Sequence, residues 1–169
     1  GAEQRPASAA DRAGWEPVPE DGIWGGDCEY FAFAAELVIP AAFAGAPVEF
    51  SLLTGCEGQW DATNPQFSVY VNDELRQGFD VNHHEITLTE HAAGGERFSV
   101  FLSAYTGVQN FHLVFDAELR TVDRAAEALY YDLLVPWQTA CLLDQDDTQY
   151  IRLIQTLNEA VNLLDLRRP

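Results

Sequence analysis

Apolar and polar residues alternate along the chain from residue 28 to about residue 119. Val48, Phe50 and Leu52, for example, are separated by Glu49 and Ser51. Because successive side chains of a β-strand point to opposite faces, this alternation predicts strands that are buried on one side. Similar segments lie at 31–39, 67–71, 75–79, 86–88, 98–102 and 111–117. About seven short strands with turn residues between them predict a mostly β fold, an antiparallel β-sandwich of the jelly-roll type.

The turn residues indicate which of these strands are neighbours. Asn72-Asp73 separates the strand at 67–71 from the strand at 75–79. Asn and Asp tolerate the left-handed backbone of tight turns better than most residues, so a β-hairpin is expected here. The Gly-containing segment 91–96 is expected to turn the chain between two later strands.

The period changes after Leu119, where apolar residues recur every three or four positions, as they do on one face of a helix. Pro136 is expected to kink or split the first helix. Asp146 is expected to cap the start of the second helix, with Gln149 completing a capping-box-like pattern. The apolar face of the first helix comprises Ala126, Leu129, Tyr130, Leu133, Trp137, Ala140 and Cys141, and the expected buried face of the second comprises Tyr150, Ile154, Leu157, Val161 and Leu164.

The order of the elements, strands first and helices last, favours a sandwich followed by a C-terminal helical pair and shows no βαβ alternation. We divide the chain into a flexible N-terminal segment at 1–21, a β-sandwich at 22–120 and a helical connector at 121–166 that packs on the sandwich. Residues 167–169 are interpreted as the start of a linker to a further domain, because Pro is common just after a helix.

Composition excludes several classes of protein. Hydrophobic residues make up 47% of the chain, which rules out intrinsic disorder despite a formal net charge of -18. The 27 acidic residues outnumber nine basic residues, all of them Arg, so neither nucleic acid nor an anionic membrane is expected as a partner. No apolar run approaches the roughly 20 residues of a membrane-spanning helix.

The cysteines and the N-terminal residues bear on the compartment. Cys28, Cys56 and Cys141 are odd in number and far apart, which does not suggest a disulfide scaffold. Residues 1–14 lack the apolar stretch of a secretory signal peptide. Both observations predict a cytoplasmic protein.

Short motifs typical of hydrolases, nucleotide-binding loops and calcium sites do not occur in the sequence. Ionisable residues crowd together at His83-His84, beside Asp80, Asn82 and Glu85. Adjacent strand residues point to opposite faces, so both histidines can bind one metal ion only if the segment is a loop. A hydrogen-bonded structural loop without a metal is expected. A small enzyme built on the two histidines is a less favoured alternative, since no nucleophile accompanies them.

The tryptophans divide into core and surface candidates. Trp60 lies in a polar segment, where it could stack on a sugar ring or fold back over the end of the sandwich. Trp24 precedes the first predicted strand and is expected to fill the core. Trp137 belongs to the apolar face of the first helix.

Several strings resemble the N-terminal region of glycoside hydrolase family 38 α-mannosidases. They are WGGD at 24–27, NPQFSVYVN at 64–72, QGFDVNHHEI at 77–86, LYYD at 129–132 and LNEAVN at 157–162. The resemblance covers most of residues 22–168 and is most specific between residues 64 and 85. The hairpin is also similar to those of galactose-binding-like jelly rolls. Asn72-Asp73 departs from the family, which often has Asn-Gly at this turn.

The resemblance implies a parent enzyme that cleaves terminal α-mannosidic bonds with retention of configuration. Its zinc-dependent catalytic barrel would follow the present C-terminus, and no residue of this chain matches the zinc ligands or the nucleophile. The chain itself is therefore expected to contain no catalytic residue, no metal ligand and no cofactor. It would be an accessory domain that supports or orients the catalytic barrel of the same polypeptide.

The resemblance and the cluster together select a contact loop. Trp60, Asp80, Asn82, His83 and His84 are expected to face the barrel, the substrate entrance or another subunit of a homo-oligomeric parent. The alternative is a carbohydrate-binding module in which Trp60, Asp80, Asn82 and His83 hold a mannose-containing glycan directly.

Overall fold

The computed structural model of the chain describes residues 14–57, 65–108 and 113–164. The chain divides into two compact units, Gly1–Val122 and Asp123–Pro169. The described part of the first unit consists of strands and connecting turns, and the described part of the second consists of two helices.

Nine strands run through the described part of the first unit. They are β1 (Ile23–Trp24), β2 (Tyr30–Val38), β3 (Val48–Leu53), β4 (Gln66–Val71), β5 (Glu74–Phe79), β6 (Glu85–Thr89), β7 (Arg97–Tyr105), β8 (Leu113–Val114) and β9 (Asp116–Thr121). They form a four-stranded sheet in the order β2-β7-β4-β5, a three-stranded sheet in the order β6-β3-β9 and a two-stranded sheet of β1 and β8. All these pairs are antiparallel. With the two helices that follow, the predicted fold class is confirmed.

The core lies between the inner faces of the two larger sheets. In β4, Phe67, Val69 and Val71 are buried at every second position, as the alternation predicts. In β3 the first five residues are all buried, so the predicted burial on one side is wrong for this strand. Phe50 of the three-stranded sheet and Phe79 of the four-stranded sheet stack with their ring centroids 6.3 Å apart. One continuous apolar cluster therefore joins both sheets.

Trp24 fills the core, as predicted. Its ring lies 5.2 Å from Phe31, 5.0 Å from Phe33 and 5.6 Å from Phe67. Its indole nitrogen donates to the Val114 carbonyl oxygen at 3.1 Å, so the buried polar atom is satisfied. The prediction that Trp24 precedes the first strand is wrong, because it forms β1 together with Ile23.

The strand predicted at 111–117 is two strands in the structure. β8 pairs with β1, whereas β9 pairs with β3. The chain changes partner at Phe115, whose amide donates to the Gly22 carbonyl oxygen at 2.8 Å. Phe111 lies outside the described residues. Apolar and polar side chains keep alternating from β8 into β9. Because the alternation is not interrupted, the sequence pattern predicted a single strand.

The predicted hairpin joins β4 to β5. Asn72 and Asp73 have φ angles of 51° and 65°, the left-handed conformation that a two-residue hairpin turn requires. Asn72 is also fixed to β7, since its amide donates to the Ser99 carbonyl oxygen and its side-chain oxygen accepts from the Ser99 amide. The turn is therefore hydrogen-bonded to a neighbouring strand of the sheet.

The second unit contains α1 (Arg124–Cys141) and α2 (Thr148–Asn162). Asp123 caps α1, its carboxylate accepting from the amides of Ala125 and Ala126. The predicted split at Pro136 is wrong, because α1 runs through this residue without interruption. Side chains on both sides of Pro136 line an apolar cavity together with residues of α2: Leu133, Leu134, Trp137, Leu157 and Val161.

Two further predictions about the helices need correction. The cap of α2 is Asp147, whose carboxylate accepts from the Gln149 amide at 2.7 Å, and not Asp146. The expected buried face of α2 is at best half-buried, since Val161 is exposed and α2 has no fully buried residue. In residues 123–164 the one fully buried side chain is Ala140. Neither helix is long and apolar enough to cross a membrane.

Candidate functional site

The structure describes four of the five residues that were predicted to form a contact loop. Trp60 lies outside the described residues. Asp80, Asn82, His83 and His84 all lie in the turn that connects β5 to β6, one strand from each of the two larger sheets. The loop conformation on which the sequence argument depended is therefore present.

Asp80 organises this turn. Its Oδ1 accepts from the amides of Asn82 and His83, both at 2.8 Å, and lies 3.1 Å from Nδ1 of His83. Its own amide donates to the His83 carbonyl oxygen at 2.9 Å. Partial burial acts to raise the pKa of the Asp80 carboxyl, but the amide hydrogen bonds and the His83 ring outweigh burial and hold that pKa below its usual range. Asp80 is an ionised structural acceptor.

The same turn presents two polar side chains to solvent. Val81 is 1% exposed and anchors the turn in the core, whereas Asn82 and His83 are exposed. The His83 side chain keeps 73% of its surface accessible. A partner that met this end of the sandwich would contact Asn82 and His83 first.

His84 connects the turn to a second group of polar side chains. Its Nε2 lies 3.4 Å from Oε1 of Glu85, and its carbonyl oxygen accepts from the Leu52 amide. Its Nδ1 is buried and finds no hydrogen-bond partner among the described residues. A ring nitrogen in this state has capacity for one more hydrogen bond.

We name this second group the Glu49–Arg120 cluster: Glu49, His84, Glu85, Thr87 and Arg120. It lies on the outer face of the three-stranded sheet, where Glu49 is the direct cross-strand partner of Arg120 and of Thr87. The Arg120 guanidinium is 3.2 Å from Oε2 of Glu49 and 2.6 Å from Oε1 of Glu85. The Thr87 hydroxyl donates to Oε1 of Glu49 at 3.3 Å. One cation thus bridges two carboxylates from two different strands.

The electrostatics of the cluster favour ion pairing over proton transfer. Glu49 is buried although it carries a carboxylate, and Arg120 supplies the opposite charge. Burial acts to lower the pKa of Arg120, but pairing with Glu85 and then with Glu49 outweighs burial and raises that pKa. These salt bridges connect all three strands of the three-stranded sheet. The cluster can bind and orient polar groups of a partner.

Sequence reasoning identified Glu85 as a neighbour of the histidines but missed the roles of Glu49 and Arg120. Glu49 occupies the outward position of a buried strand, and Arg120 occupies the outward position of a strand 71 residues further on. The available signal was a charged residue between the apolar residues Val48 and Phe50. Its partner depends on sheet order, which local patterns do not contain.

Metal binding has little support within residues 14–57, 65–108 and 113–164. No group of three or more His, Cys, Asp or Glu side chains in these ranges is arranged to hold a metal ion. His83 and His84 have different neighbours, since His83 faces Asp80 whereas His84 faces Glu85.

Comparison with known proteins does not assign the chain to a family. No protein-family model matches the chain, and no curated protein matches it.

Proposed function

We propose that the chain is an N-terminal accessory β-sandwich domain of a glycoside hydrolase family 38 α-mannosidase. In this proposal it supports or orients a zinc-dependent catalytic barrel elsewhere in the same polypeptide and performs no chemistry itself. The turn between β5 and β6 and the adjoining Glu49–Arg120 cluster form the face that meets the barrel.

The observation that carries the proposal is the placement of the most specific matching string, residues 64–85. Its described part is one contiguous structural unit, comprising β4, the Asn72-Asp73 turn, β5 and the turn at Asp80. Within the final turn, the Asp80 carboxylate holds the backbone, and the Asn82 and His83 side chains are exposed. An unusual string that builds a rigid turn with exposed polar side chains is suited to positioning a partner surface.

The cluster supports the same role. Polar groups at an interface give specificity and orientation more than affinity. Glu85 and Arg120 are each about one-third exposed, and their mutual pairing fixes their direction. Such side chains can dock a partner in one orientation at low entropic cost.

The direct test compares two proteins. Hydrolysis of 4-nitrophenyl α-D-mannoside with zinc present is measured for the 169-residue chain and for the longer protein that the proposal requires. Activity in the longer protein alone supports the proposal. Activity of the 169-residue chain by itself would refute the accessory role, and inactivity of both proteins would refute the family assignment.

A second experiment tests the docking face. In the longer protein, Asn82→Ala with His83→Ala should lower mannosidase activity or shorten its half-life at elevated temperature. The control is Glu74→Ala, an exposed position at the start of β5. Equal behaviour of the double variant and the control would place the barrel on another face of the sandwich.

Direct binding of a mannose-containing glycan is the second candidate function, and the exposure of Asn82 and His83 favours it. Amide and imidazole groups are suitable hydrogen-bond partners for sugar hydroxyls. Titration of the chain with a mannose trisaccharide, followed by amide chemical shifts, should move the signals of residues 80–84. Unchanged shifts at millimolar sugar would eliminate this candidate.

A further inference from the structure

An apolar cavity of about 400 Å³ opens between the two larger sheets. It lies on the side of the sandwich where β2 and β9 are edge strands, each paired on one side only. Its walls and floor are Phe33 and Leu37 from β2, Leu119 from β9, Val100 and Leu102 from β7, and Phe115. Small-molecule sites in proteins have volumes of about 300–1,000 Å³.

The opening results from the choice of residues in the two edge strands. Inward positions of β2 carry Phe33 and Leu37 on either side of Ala35, and Phe115 and Leu119 lie on either side of Ala117 in the same way. Ala35 and Ala117 both line the cavity, and both are exposed. Two small side chains therefore stand where larger ones would close the sandwich. Away from the cavity the same inner faces are packed, with Val69 0% and Val71 2% exposed.

The segment before β1 completes the wall. Val18 lines the cavity, and the segment is fixed on both sides of it. Trp15 packs on Phe101 of β7 with ring centroids 6.4 Å apart, and the Gly22 carbonyl oxygen accepts from the Phe115 amide. The segment before β1 therefore bounds the cavity together with residues of β2, β3, β7 and 115–119.

The side chains that form the cavity walls indicate which chemical class of ligand can bind. Among the described residues that line the cavity, Glu118 is polar and all the others are apolar. The walls consist mainly of apolar side chains, which offer no hydrogen bonds to the hydroxyl groups of a sugar. Packed sheets are about 10 Å apart, whereas a helix with its side chains is about 10–12 Å wide, so a peptide helix does not fit between them.

The negative charge of the protein indicates which polar head group a bound molecule can carry. Glu118 is the charged residue among the described lining residues, and the chain has a formal net charge of -18. Both repel an anionic head group and favour a neutral or cationic one. We propose that the cavity between β2 and β9 binds a small hydrocarbon-like molecule whose head group is neutral or cationic. This site is separate from the face assigned to the proposed function.

Three probes with the same eight-carbon chain test the proposal: 1-octanol, octyltrimethylammonium and octanoate. Isothermal titration calorimetry with the full chain should show saturable binding of the first two, with octanoate at least tenfold weaker. Methyl signals of Leu102 and Leu119 should shift on addition of octanol. Absence of saturable binding would overturn the proposal, and equal binding of octanoate would overturn its head-group part.

Paired variants locate the binding. Ala35→Leu with Ala117→Leu fills the cavity and should weaken octyltrimethylammonium binding at least tenfold. The control is Ala32→Leu, an exposed alanine of β2 whose side chain lies on the opposite face, and it should bind within twofold of the wild type. Unchanged binding by a folded double variant would overturn the proposal. A wild-type dimer that the double variant converts to a monomer would also overturn it, because a second copy would then occupy the cavity.

Discussion

Replacing Arg120 with Met removes the positive charge between Glu49 and Glu85 and keeps a side chain of similar length. The pair with Glu85 joins two side chains that are 36% and 35% exposed, so its loss should cost about 0.5–1 kcal/mol. Glu49 differs, since its side chain is 6% exposed. Breaking a fully buried pair costs about 3–5 kcal/mol. Because Arg120 is partly exposed and the Thr87 hydroxyl remains, we expect a total loss of about 2–3 kcal/mol.

Urea unfolding at pH 7, followed by circular dichroism and tryptophan fluorescence, measures this loss. With a slope of about 2 kcal/mol per molar urea, the midpoint should fall by about 1–1.5 M. The matched control is Arg97→Met, an exposed arginine of β7, for which we expect a change within about 0.5 kcal/mol. The control separates the effect of the buried carboxylate from the general effect of losing one arginine in an acidic protein.

A second substitution identifies the cause. If the destabilisation of Arg120→Met comes from an uncompensated carboxylate at Glu49, then adding Glu49→Gln should restore more than half of it, because a carboxamide is far cheaper to bury than a charge. The reasoning is refuted if Arg120→Met behaves like Arg97→Met. It is equally refuted if Glu49→Gln in the same chain restores nothing.

Three further predictions concern turns and caps. Asp80→Ala should lower the free energy of unfolding by about 1–2 kcal/mol at pH 7, because two amides lose their acceptor. The depressed pKa of the Asp80 carboxyl makes its stabilising effect complete above the unfolded-state pKa of about 3.9, and the effect is lost as pH falls through the lower folded-state value. Urea midpoints of wild type and variant should therefore converge in acid, and a constant difference would contradict this assignment. Asp73→Gly should raise the free energy of unfolding by about 0.5–1 kcal/mol, since φ is 65° at this position; a lower urea midpoint would disagree. Asp147→Ala should reduce helix stability by about 1 kcal/mol by circular dichroism, whereas Asp146→Ala should have a smaller effect; the reverse order would contradict the observed cap.

Local patterns predicted the strands because apolar and polar side chains alternate along most of them. They could not predict where β8 ends and β9 begins, since that change depends on a hydrogen bond between Phe115 and Gly22, which are far apart in sequence. The predicted split of α1 at Pro136 was wrong. The intrinsic effect of Pro136 is local, whereas the apolar cavity beside it is lined by residues of both helices, which are far apart in the sequence.

The candidate site also has one part that the sequence could predict and one part that it could not. The turn at Asp80 could be predicted, because its hydrogen bonds join residues three positions apart or fewer. The pair between Glu49 and Arg120 could not, because it requires β3 and β9 to be neighbours in one sheet. Sequence spacing gives the outward direction of each side chain but not the strand that lies beside it.

Edge strand β9 borders the apolar cavity with one face and contributes Arg120 to the Glu49–Arg120 cluster with the other. Leu119 faces the cavity, and the next residue, Arg120, faces Glu49 on the outer side of the sheet. A shift of one residue would exchange the two faces, placing Arg120 against the core and Leu119 in the position of the ion pair. The buried carboxylate of Glu49 makes that shift costly, because it would lose its counter-charge. The Glu49–Arg120 pair therefore fixes the register of the strand that borders the cavity.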